Sequence, residues 1–527
     1  MNAPARIKGW RFLLLNGAAG AANVVMLSNV PGYTVLAPYA AGSLQGVTPS
    51  YGTWATTDHM IGIALGLPLS RWFSGRFGDY RALIGALVIY TIFSLMCAAS
   101  ETIYFFAFMR FLLGLAGGVA LPLAQSVTLA QYPDDRRTLG VGFWGVMSMA
   151  PFTIGVFMGG FWAEYFNWRW LFYSNVVVLL PVAAVISALF YERGFARRIT
   201  RFDTIGFILL ATVLLGMQTI FNMGNDFDWF ASPWLAWMLL MVMLALPMFI
   251  IWEFGERRPA LDLRLFLHRN FAIATFCSLV GFLVIQGLLS VLVVQLQVLL
   301  GYTSSLAGMV YLTMIFLAMA AAAVVHELTR NVDARLIVFF NFIGLAATFA
   351  WLGHYDRSAS FDNVTTPMFF FGFSLAMFFA PLATLAMTGL AGERLIRAAE
   401  ELAMLRTVFG AFGITLLGVV LFRRTPFHQL DLADQFGGRR FASLDPLTSL
   451  LDRMQAMGMS QEAAHSRAAQ LIREQAAILA LNDDFLLGSV TFICLAGIVW
   501  LADPSYASKK RRQALERLSA EELMEQP

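Results

Sequence analysis

The sequence predicts an all-α polytopic membrane protein with 14 transmembrane helices. Two observations lead to this fold class. Fourteen apolar stretches are each long enough to cross a bilayer at about 20 residues per crossing, and the basic residues between them fall almost entirely in alternate connections. The chain has 527 residues, of which 58% are hydrophobic and 13% are charged. A single soluble domain does not bury that much apolar surface, so lipid must solvate much of it.

The predicted helices fall into two sets of six with a pair between them. We expect residues 1–200 to form an N-terminal six-helix bundle, 201–260 an inserted helix pair, and 261–527 a C-terminal six-helix bundle that includes a long outward loop at 423–483. The expected spans are 12–36, 53–72, 82–100, 104–126, 140–163, 170–190, then 204–222 and 233–252, then 271–300, 305–326, 335–353, 367–389, 400–422 and 484–502.

The distribution of basic residues predicts the orientation in the membrane. The short connections on one side contain only Arg169 and Arg357, whereas the connections on the other side contain most of the arginines. Because basic loops stay in the cytoplasm, both termini are predicted to be cytoplasmic. A basic tail at 509–512 is expected to rest against anionic headgroups. The net charge of +3 therefore reports topology and does not indicate nucleic-acid binding.

An R-x-x-D-x-R sequence occurs twice, each time between the second and third helices of a six-helix set. Two similar halves in parallel orientation are how many secondary transporters build alternating access around a central site. A short cytoplasmic turn also collects arginine and aspartate without any repeat, and that alternative stays open for the second copy. The candidate gating residues are Arg76, Gly78, Asp79 and Arg81 in the first copy and Arg330, Asp333 and Arg335 in the second.

Further motifs follow in a fixed order along the predicted helices. The second helix opens with Gly52-Thr53-Trp54, and the fourth carries R-x-x-x-G-x-x-x-G-x-x-x-P from Arg110 to Pro122. The rest are the helix 5 glycines Gly155, Gly159 and Gly160, the W-R-W sequence at 168–170, Pro381-Leu382, Gly392-Glu393-Arg394, Leu405-Arg406-Thr407 and the segment 457–461.

In this order the motifs resemble the major facilitator superfamily, specifically its 14-helix EmrB/QacA branch of drug:proton antiporters. The resemblance implies a major facilitator fold and proton-driven efflux of small hydrophobic or amphipathic compounds across the bacterial inner membrane by alternating access. It implies a periplasmic membrane-fusion adaptor and an outer-membrane channel as partners, and it assigns the helix 5 glycines to packing against the C-terminal half. Export of one dedicated metabolite, such as a siderophore or an aromatic acid, is the alternative.

Few ionisable residues lie inside the predicted helices, and each is a candidate for proton coupling because a charge there costs about 2.5–3.5 kcal/mol on insertion scales. Where the family pattern has an aspartate in helix 1 this chain has Asn29, which carries no titratable proton. Asp58 in helix 2 lies at a depth similar to that of Arg110 in helix 4. We expect Asp58 to take and release the coupling proton beside Arg110. A static neutralising pair, or an Asp58 that only reaches outer water, are the alternatives.

Two adjacent carboxylates, Glu400 and Glu401, are expected to begin the thirteenth helix. One of them is a candidate for a second proton site. Carboxylates also suit the positive N-terminal end of a helix, so a structural interpretation is open.

Substrate contacts are expected from polar, methionine and aromatic side chains on the helices that would border a central chamber. Such surfaces suit apolar or cationic drugs, although the same residue types also face lipid or fill cores. The candidates are Gln125, Trp144, Met147, Gln286, Gln295, Gln297, Phe378 and Phe379.

Other function classes lack support in the sequence. No G-x-x-x-x-G-K-[ST] phosphate loop occurs, which disfavours an ATP-driven pump, and the six histidines are too scattered to suggest a metal site. We expect no enzyme activity and no cofactor. In the outward loop, apolar spacing between 461 and 481 predicts one or two short amphipathic helices that dock an adaptor or cap the mouth of the pump.

Overall fold

The structure is a computed structural model that describes residues 7–44, 49–133, 136–191, 202–257, 259–354, 356, 360–436 and 446–505. This part of the chain is helical throughout and contains no strand. The helices are α1 Trp10–Ser43, α2 Pro49–Phe77, α3 Asp79–Ala98, α4 Ile103–Leu129, α5 Arg137–Tyr165, α6 Trp170–Phe190, α7 Thr204–Gly224, α8 Pro233–Gly255, α9 Arg269–Val298, α10 Ser304–Leu312, α11 Met314–Asn331, α12 Ala334–Leu352, α13 Phe361–Ala386, α14 Glu393–Phe436, α15 Pro446–Ala456 and α16 Gln461–Ile498.

The predicted 14-helix fold is confirmed. Thirteen of the described helical segments are long and apolar enough to cross a membrane, with α10 and α11 counting as one span that breaks at Thr313. The remaining predicted span is α2, whose 29 residues are less apolar because its first half carries polar residues, among them Asp58 and His59. The predicted basic tail at 509–512 lies outside the described residues.

Two predictions about the outward loop and its neighbours are wrong. The helix expected at 400–422 begins at Glu393 and continues to Phe436, so Glu400 and Glu401 lie about two turns inside α14 and not at its N-terminus. The amphipathic segment is not one or two separate short helices, because α16 runs unbroken from Gln461 through the last span. The hydroxyl of Ser460 caps this helix by accepting a hydrogen bond from the Ala463 N–H at 3.2 Å.

Glycines allow α2 and α4 to cross at backbone contact. A Cβ added at Gly114 would stand 2.1 Å from the carbonyl oxygen of His59, and one added at Gly62 would stand 2.2 Å from the carbonyl oxygen of Phe111. Small residues one turn apart permit this close approach of membrane helices. The crossing holds Arg110, one turn before Gly114, against the backbone of α2.

Of the inserted pair, α7 packs against both halves of the molecule. On α7, the Asn222 amide oxygen accepts hydrogen bonds from Gln218 on the same helix at 2.9 Å and from the Thr415 hydroxyl of α14 at 2.9 Å. The Asn222 amide nitrogen donates to the Thr57 hydroxyl of α2 at 3.1 Å. One polar network therefore joins α2, α7 and α14. The domain boundaries at 200 and 260 stay a prediction.

Candidate functional site

An internal cavity lies between the two sets of helices. It consists of two adjoining openings, which share Val30, Pro31, Phe152 and Gln286. One wall comes from α1, α2 and α5, and the opposite wall comes from α9, α10 and α14. The lining is mostly apolar and contains no charged residue: Leu27, Val30, Pro31, Thr34, Met60, Ile63, Pro151, Phe152, Val156, Phe282, Gln286, Leu289, Ser290, Val293, Tyr311, Thr407 and Ile414.

Aromatic rings from both halves meet beside this cavity. The ring of Phe152 on α5 lies 6.4 Å from that of Phe282 on α9 and 6.3 Å from that of Phe379 on α13. The guanidinium carbon of Arg406 lies 4.6 Å from the centre of the Phe379 ring and 5.7 Å from that of Phe282. These distances fit cation–π contact. We call these four residues the aromatic corner.

Tight backbone packing closes the cavity on the side opposite the arginine-rich connections. A Cβ at Gly160 of α5 would stand 2.2 Å from the carbonyl oxygen of Ser304 at the start of α10. The carboxylate of Glu164 accepts a hydrogen bond from the Ser305 N–H at 3.0 Å, and the hydroxyls of Tyr39 and Ser304 are hydrogen-bonded. The two halves are therefore in direct contact on this side.

An ion pair joins the halves on the arginine-rich side. The Nε of Arg71 on α2 lies 2.7 Å from a carboxylate oxygen of Glu400 on α14. Both side chains are partly exposed, so the pair contributes only modest stability. The pair matters because it links a helix of the N-terminal half directly to a helix of the C-terminal half on this side.

A cluster of acids surrounds Glu401, next in the chain. One oxygen of Glu401 accepts the Asp262 N–H at 2.7 Å, and Glu253 of α8 accepts the preceding Leu261 N–H at 3.4 Å. Both side chains are buried, and each has an oxygen without a hydrogen-bond partner among the described residues. Sequence reasoning missed Glu253, although an acid near the end of an apolar helix was the available signal.

Arg110 is fully buried and is held by backbone groups of two other helices. Its Nε donates to the Ala55 carbonyl at 3.1 Å, and one Nη donates to the Asn29 carbonyl at 3.1 Å. Its guanidinium carbon lies 4.6 Å from the Tyr33 ring centre. The other Nη has no hydrogen-bond partner in the described part of the chain. Two backbone carbonyl groups and the face of the Tyr33 ring therefore stabilise the buried guanidinium cation.

Asp58 lies on the same stretch of α2 as Ala55, whose carbonyl accepts the Arg110 Nε–H, but it forms no ion pair or hydrogen bond with any described residue. It is half-buried, three residues after Ala55 on α2. The static neutralising pair is therefore not the arrangement seen here. A carboxyl close to a cation but unbonded retains the freedom to gain or lose a proton, and its coupling role stays a prediction.

Asn29 occupies a structural position beside this cation. Its amide exchanges two hydrogen bonds with that of Asn175, at 3.0 and 3.2 Å, and Asn175 also donates to the Ser94 hydroxyl at 2.9 Å. The network orients α1, α3 and α6 around Arg110. Sequence reasoning named Asn29 as a candidate residue, whereas it recognised Asn175 only as the end of a motif and gave it no role in the site.

The structure brings only some of the predicted substrate residues to the cavity. Gln286 lines it, and Phe379 belongs to the aromatic corner. Gln297 instead accepts a hydrogen bond from Ser304 at 3.1 Å, at the closed end of the cavity. The others lie elsewhere: Trp144 and Phe378 are buried in the cores of the two halves, Met147 contacts α1 at Gly20, Gln295 is half-buried and Gln125 is exposed.

The helix 5 glycines do not share one partner. Gly155 and Gly159 approach α1, where a Cβ at Gly159 would stand 2.3 Å from the carbonyl oxygen of Gly32. Of these three glycines, only Gly160 contacts the C-terminal half. The packing against that half, which the resemblance implies for all three, is therefore seen for Gly160 alone.

The first R-x-x-D-x-R turn reverses the chain between α2 and α3. Gly78 makes this possible with φ +84°, a conformation that favours glycine. Asp79 begins α3 and accepts a hydrogen bond from the Ser74 hydroxyl. Arg76 lies 5.7 Å from the Trp72 ring centre, and Arg81 donates to the Tyr80 hydroxyl at 3.0 Å.

The second turn is built around Asp333, which caps α12. Burial raises the pKa of this carboxyl, but hydrogen bonds from the side chain and backbone of Arg335, the charge of that arginine and a hydrogen bond from Ser505 outweigh it, so the pKa lies below its ordinary value. Arg335 also donates to the Ala502 carbonyl at 3.0 Å, which ties the turn to the end of the last span. The side chain of Arg330 lies outside the described part of the structure.

Comparisons with known proteins agree with this architecture. A family model described as Major Facilitator Superfamily matches residues 18–419. The chain is similar to multidrug export protein EmrB of Escherichia coli (strain K12), with 27% identity covering 95% of this chain and 97% of that protein. It is also similar to fatty acid resistance protein FarB of Neisseria gonorrhoeae, with 29% identity covering 90% and 92%.

Among solved structures, an auto-inhibited POT family peptide transporter superposes with a TM-score of 0.59 at 14% identity, covering 93% of this chain and 97% of that one. At this identity the likeness concerns the fold alone. Because the family model covers most of the sequence and the relatives align over nearly its whole length, the chain belongs to the Major Facilitator Superfamily and is a membrane transporter, not an enzyme.

Proposed function

We propose that this chain is a proton-driven exporter of varied hydrophobic or amphipathic compounds in the bacterial inner membrane, with both termini in the cytoplasm. The observation that carries the proposal is the cavity between the halves. Different contacts close it at its two ends, Gly160 against Ser304 on one side and Arg71 with Glu400 on the other. Opening one set while the other holds gives alternating access.

Asp58 and the ion-paired Arg71 lie on the same helix. They are 13 residues apart in α2, which corresponds to about 20 Å along the axis. A proton that binds Asp58 removes a negative charge beside Arg110, and a shift of α2 in response also moves Arg71 relative to Glu400. Proton binding at Asp58 therefore changes the equilibrium between the open and closed states on the arginine-rich side. An antiporter needs this link between proton binding and opening.

The relatives support the substrate class. One is named for multidrug export, another for fatty acid resistance, and a third, from Acinetobacter baumannii, for colistin resistance. The apolar lining of the cavity, with Gln286 as one of its few polar groups, fits compounds that share hydrophobicity and little else.

Transport in proteoliposomes under an imposed pH gradient tests this function. The native protein should accumulate a hydrophobic dye only while the gradient lasts, and Asp58→Asn should abolish that accumulation with no loss of protein in the membrane. Asp434→Asn is the matched control, since Asp434 is exposed at the end of α14. Gradient-dependent transport that survives in Asp58→Asn would refute the coupling role.

We further propose that the protein works with a periplasmic adaptor and an outer-membrane channel. Beyond the predicted outer boundary of the membrane, α14 continues to Phe436 and α16 begins at Gln461. Between them, Met457 is 73% exposed and Met459 is 41% exposed, an adaptable apolar surface for a partner.

Substituting both methionines by serine separates docking from transport. Proteoliposome transport should be unchanged, whereas drug survival of cells that carry the adaptor and channel should fall. Unchanged survival would contradict docking at this surface.

A further inference from the structure

Arg406 is an arginine inside a membrane span without an acidic partner. It lies in α14, six residues into the predicted span 400–422 and about 9 Å from the cytoplasmic end of that span, inside a hydrocarbon core of about 30 Å. No described residue forms an ion pair or hydrogen bond with it. The other deeply placed arginine, Arg110, donates to two carbonyl oxygens. A cation in this position is costly unless something pairs with it.

The acids nearest in the sequence are committed elsewhere. Glu401 is five residues earlier, which rotates it by about 140° around the helix, and it is bonded to the Asp262 N–H. Glu400 pairs with Arg71. The guanidinium of Arg406 instead lies against two ring faces of the aromatic corner, which hold it in place and leave its N–H groups without acceptors.

The cavity beside Arg406 is mostly apolar. The next residue, Thr407, lines it, as do Phe282 and Phe152 of the aromatic corner, and none of its lining residues is charged. A ligand that fills this space therefore has an apolar body. Arg406 does not line the cavity itself but lies against Phe282, which does. We therefore expect an anionic group at the Phe282 end of such a ligand to meet the planar guanidinium, whose N–H fork matches a carboxylate.

We propose that Arg406 is an anion-recognition residue and that the substrates of this transporter include amphipathic carboxylic acids, with the carboxylate on Arg406 and the apolar tail in the cavity. This inference rests on the proposed export function and specifies its substrate class. It differs from the expectation of cationic drugs that the methionine and aromatic residues raise, because the charged group beside the cavity is itself a cation.

Binding measured without a pH gradient tests the inference separately from proton coupling. Purified protein in nanodiscs of neutral lipid is titrated with decanoate, decanol and decyltrimethylammonium, which share a tail and differ in head-group charge. The native protein should bind decanoate most tightly. Arg406→Gln should weaken decanoate binding by at least about tenfold and leave decanol binding unchanged.

Two controls protect this result. Arg453→Gln removes an exposed arginine from α15 and should have no effect. Arg406→Lys keeps the positive charge but lacks the forked N–H groups of the guanidinium, so it should show an intermediate loss of decanoate binding. This variant also tests the inference if Arg406→Gln does not fold. Equal loss for decanoate and decanol, or no loss for either, would overturn the inference.

An anionic phospholipid is the other source of a negative group at this site. Lipids that remain bound to the purified protein are identified by mass spectrometry for the native chain and for Arg406→Gln. An anionic lipid retained only by the native chain, together with decanoate binding that does not depend on Arg406, would assign the residue to lipid and refute the substrate role.

Discussion

Gly160→Ala tests whether a single close contact controls closure on the outer side. The added Cβ would stand 2.2 Å from the Ser304 carbonyl oxygen and 2.8 Å from its carbonyl carbon, whereas ordinary contact begins at 3.4 Å. Both atoms belong to the backbone, so no side chain can move aside. The helices α5 and α10 must separate by about 1.2 Å for the methyl group to fit.

The size of the effect follows from the cost of overpacking, which is roughly 1–3 kcal/mol. This contact exists only while the outer side is closed, so the cost falls on that state alone. At about 1.4 kcal/mol per factor of ten, the population should shift toward the outward-open state by about 5-fold to 140-fold. A leak of protons or substrate should accompany the shift.

Distances between spin labels measure this shift. Tyr104 on α4 and Asp362 on α13 are exposed residues near the outer ends of opposite halves, and double electron–electron resonance between labels at these positions should show a longer distance in Gly160→Ala. Gly159→Ala is the control, because Gly159 meets Gly32 within the N-terminal half. It should lower thermal stability without lengthening the distance. An unchanged distance in Gly160→Ala, or the same change in both variants, would refute the reasoning.

Three further predictions concern packing, the opposite closure and pH. Gly114→Ala should destabilise the native fold by roughly 1–3 kcal/mol through the backbone of α2, whereas Gly85→Ala, with nothing within 4 Å of the added Cβ, should be neutral or slightly stabilising; melting in detergent compares them. Arg71→Gln removes the ion pair with Glu400 and should favour the inward-open state, seen as faster labelling of cysteines placed in the cavity; unchanged labelling contradicts the proposed closure. The pKa of Asp333 is lowered in the folded state, so its contribution is present above the unfolded value of about 3.9 and is lost as pH falls through the folded value. Asp333→Asn should therefore lower the melting temperature at neutral pH by more than it does at a pH below the unfolded value, and an equal loss at both would show that the charge is not responsible.

The sequence predicted the spans well because each helix must satisfy its own backbone hydrogen bonds in lipid and therefore appears as a continuous apolar run. Its failures lie outside the apolar runs. The helices α14 and α16 extend well past the bilayer, where neither length nor hydropathy marks their ends, and the expected break between an amphipathic segment and the last span does not exist.

Candidate residues were predicted well where a motif marked them and poorly where only composition did. Arg110 and Gly160 are part of recognisable patterns, and both lie at helix–helix contacts. Gln125 and Trp144 were selected by residue type, and neither lines the cavity. Residue type does not say which face of a membrane helix points inward, because lipid and protein interior are similarly apolar.

The sequence by itself determined the membrane class, the number of spans and the rarity of charge within them, because these depend on transfer of side chains and backbone from water to lipid. Tertiary structure decided the pairings: Arg71 with Glu400, Gly160 with Ser304, and Arg406 with two phenylalanine rings and no acid. Each of these contacts joins residues far apart in the chain, and their separation is set by how the helices pack and rotate, which no local pattern encodes.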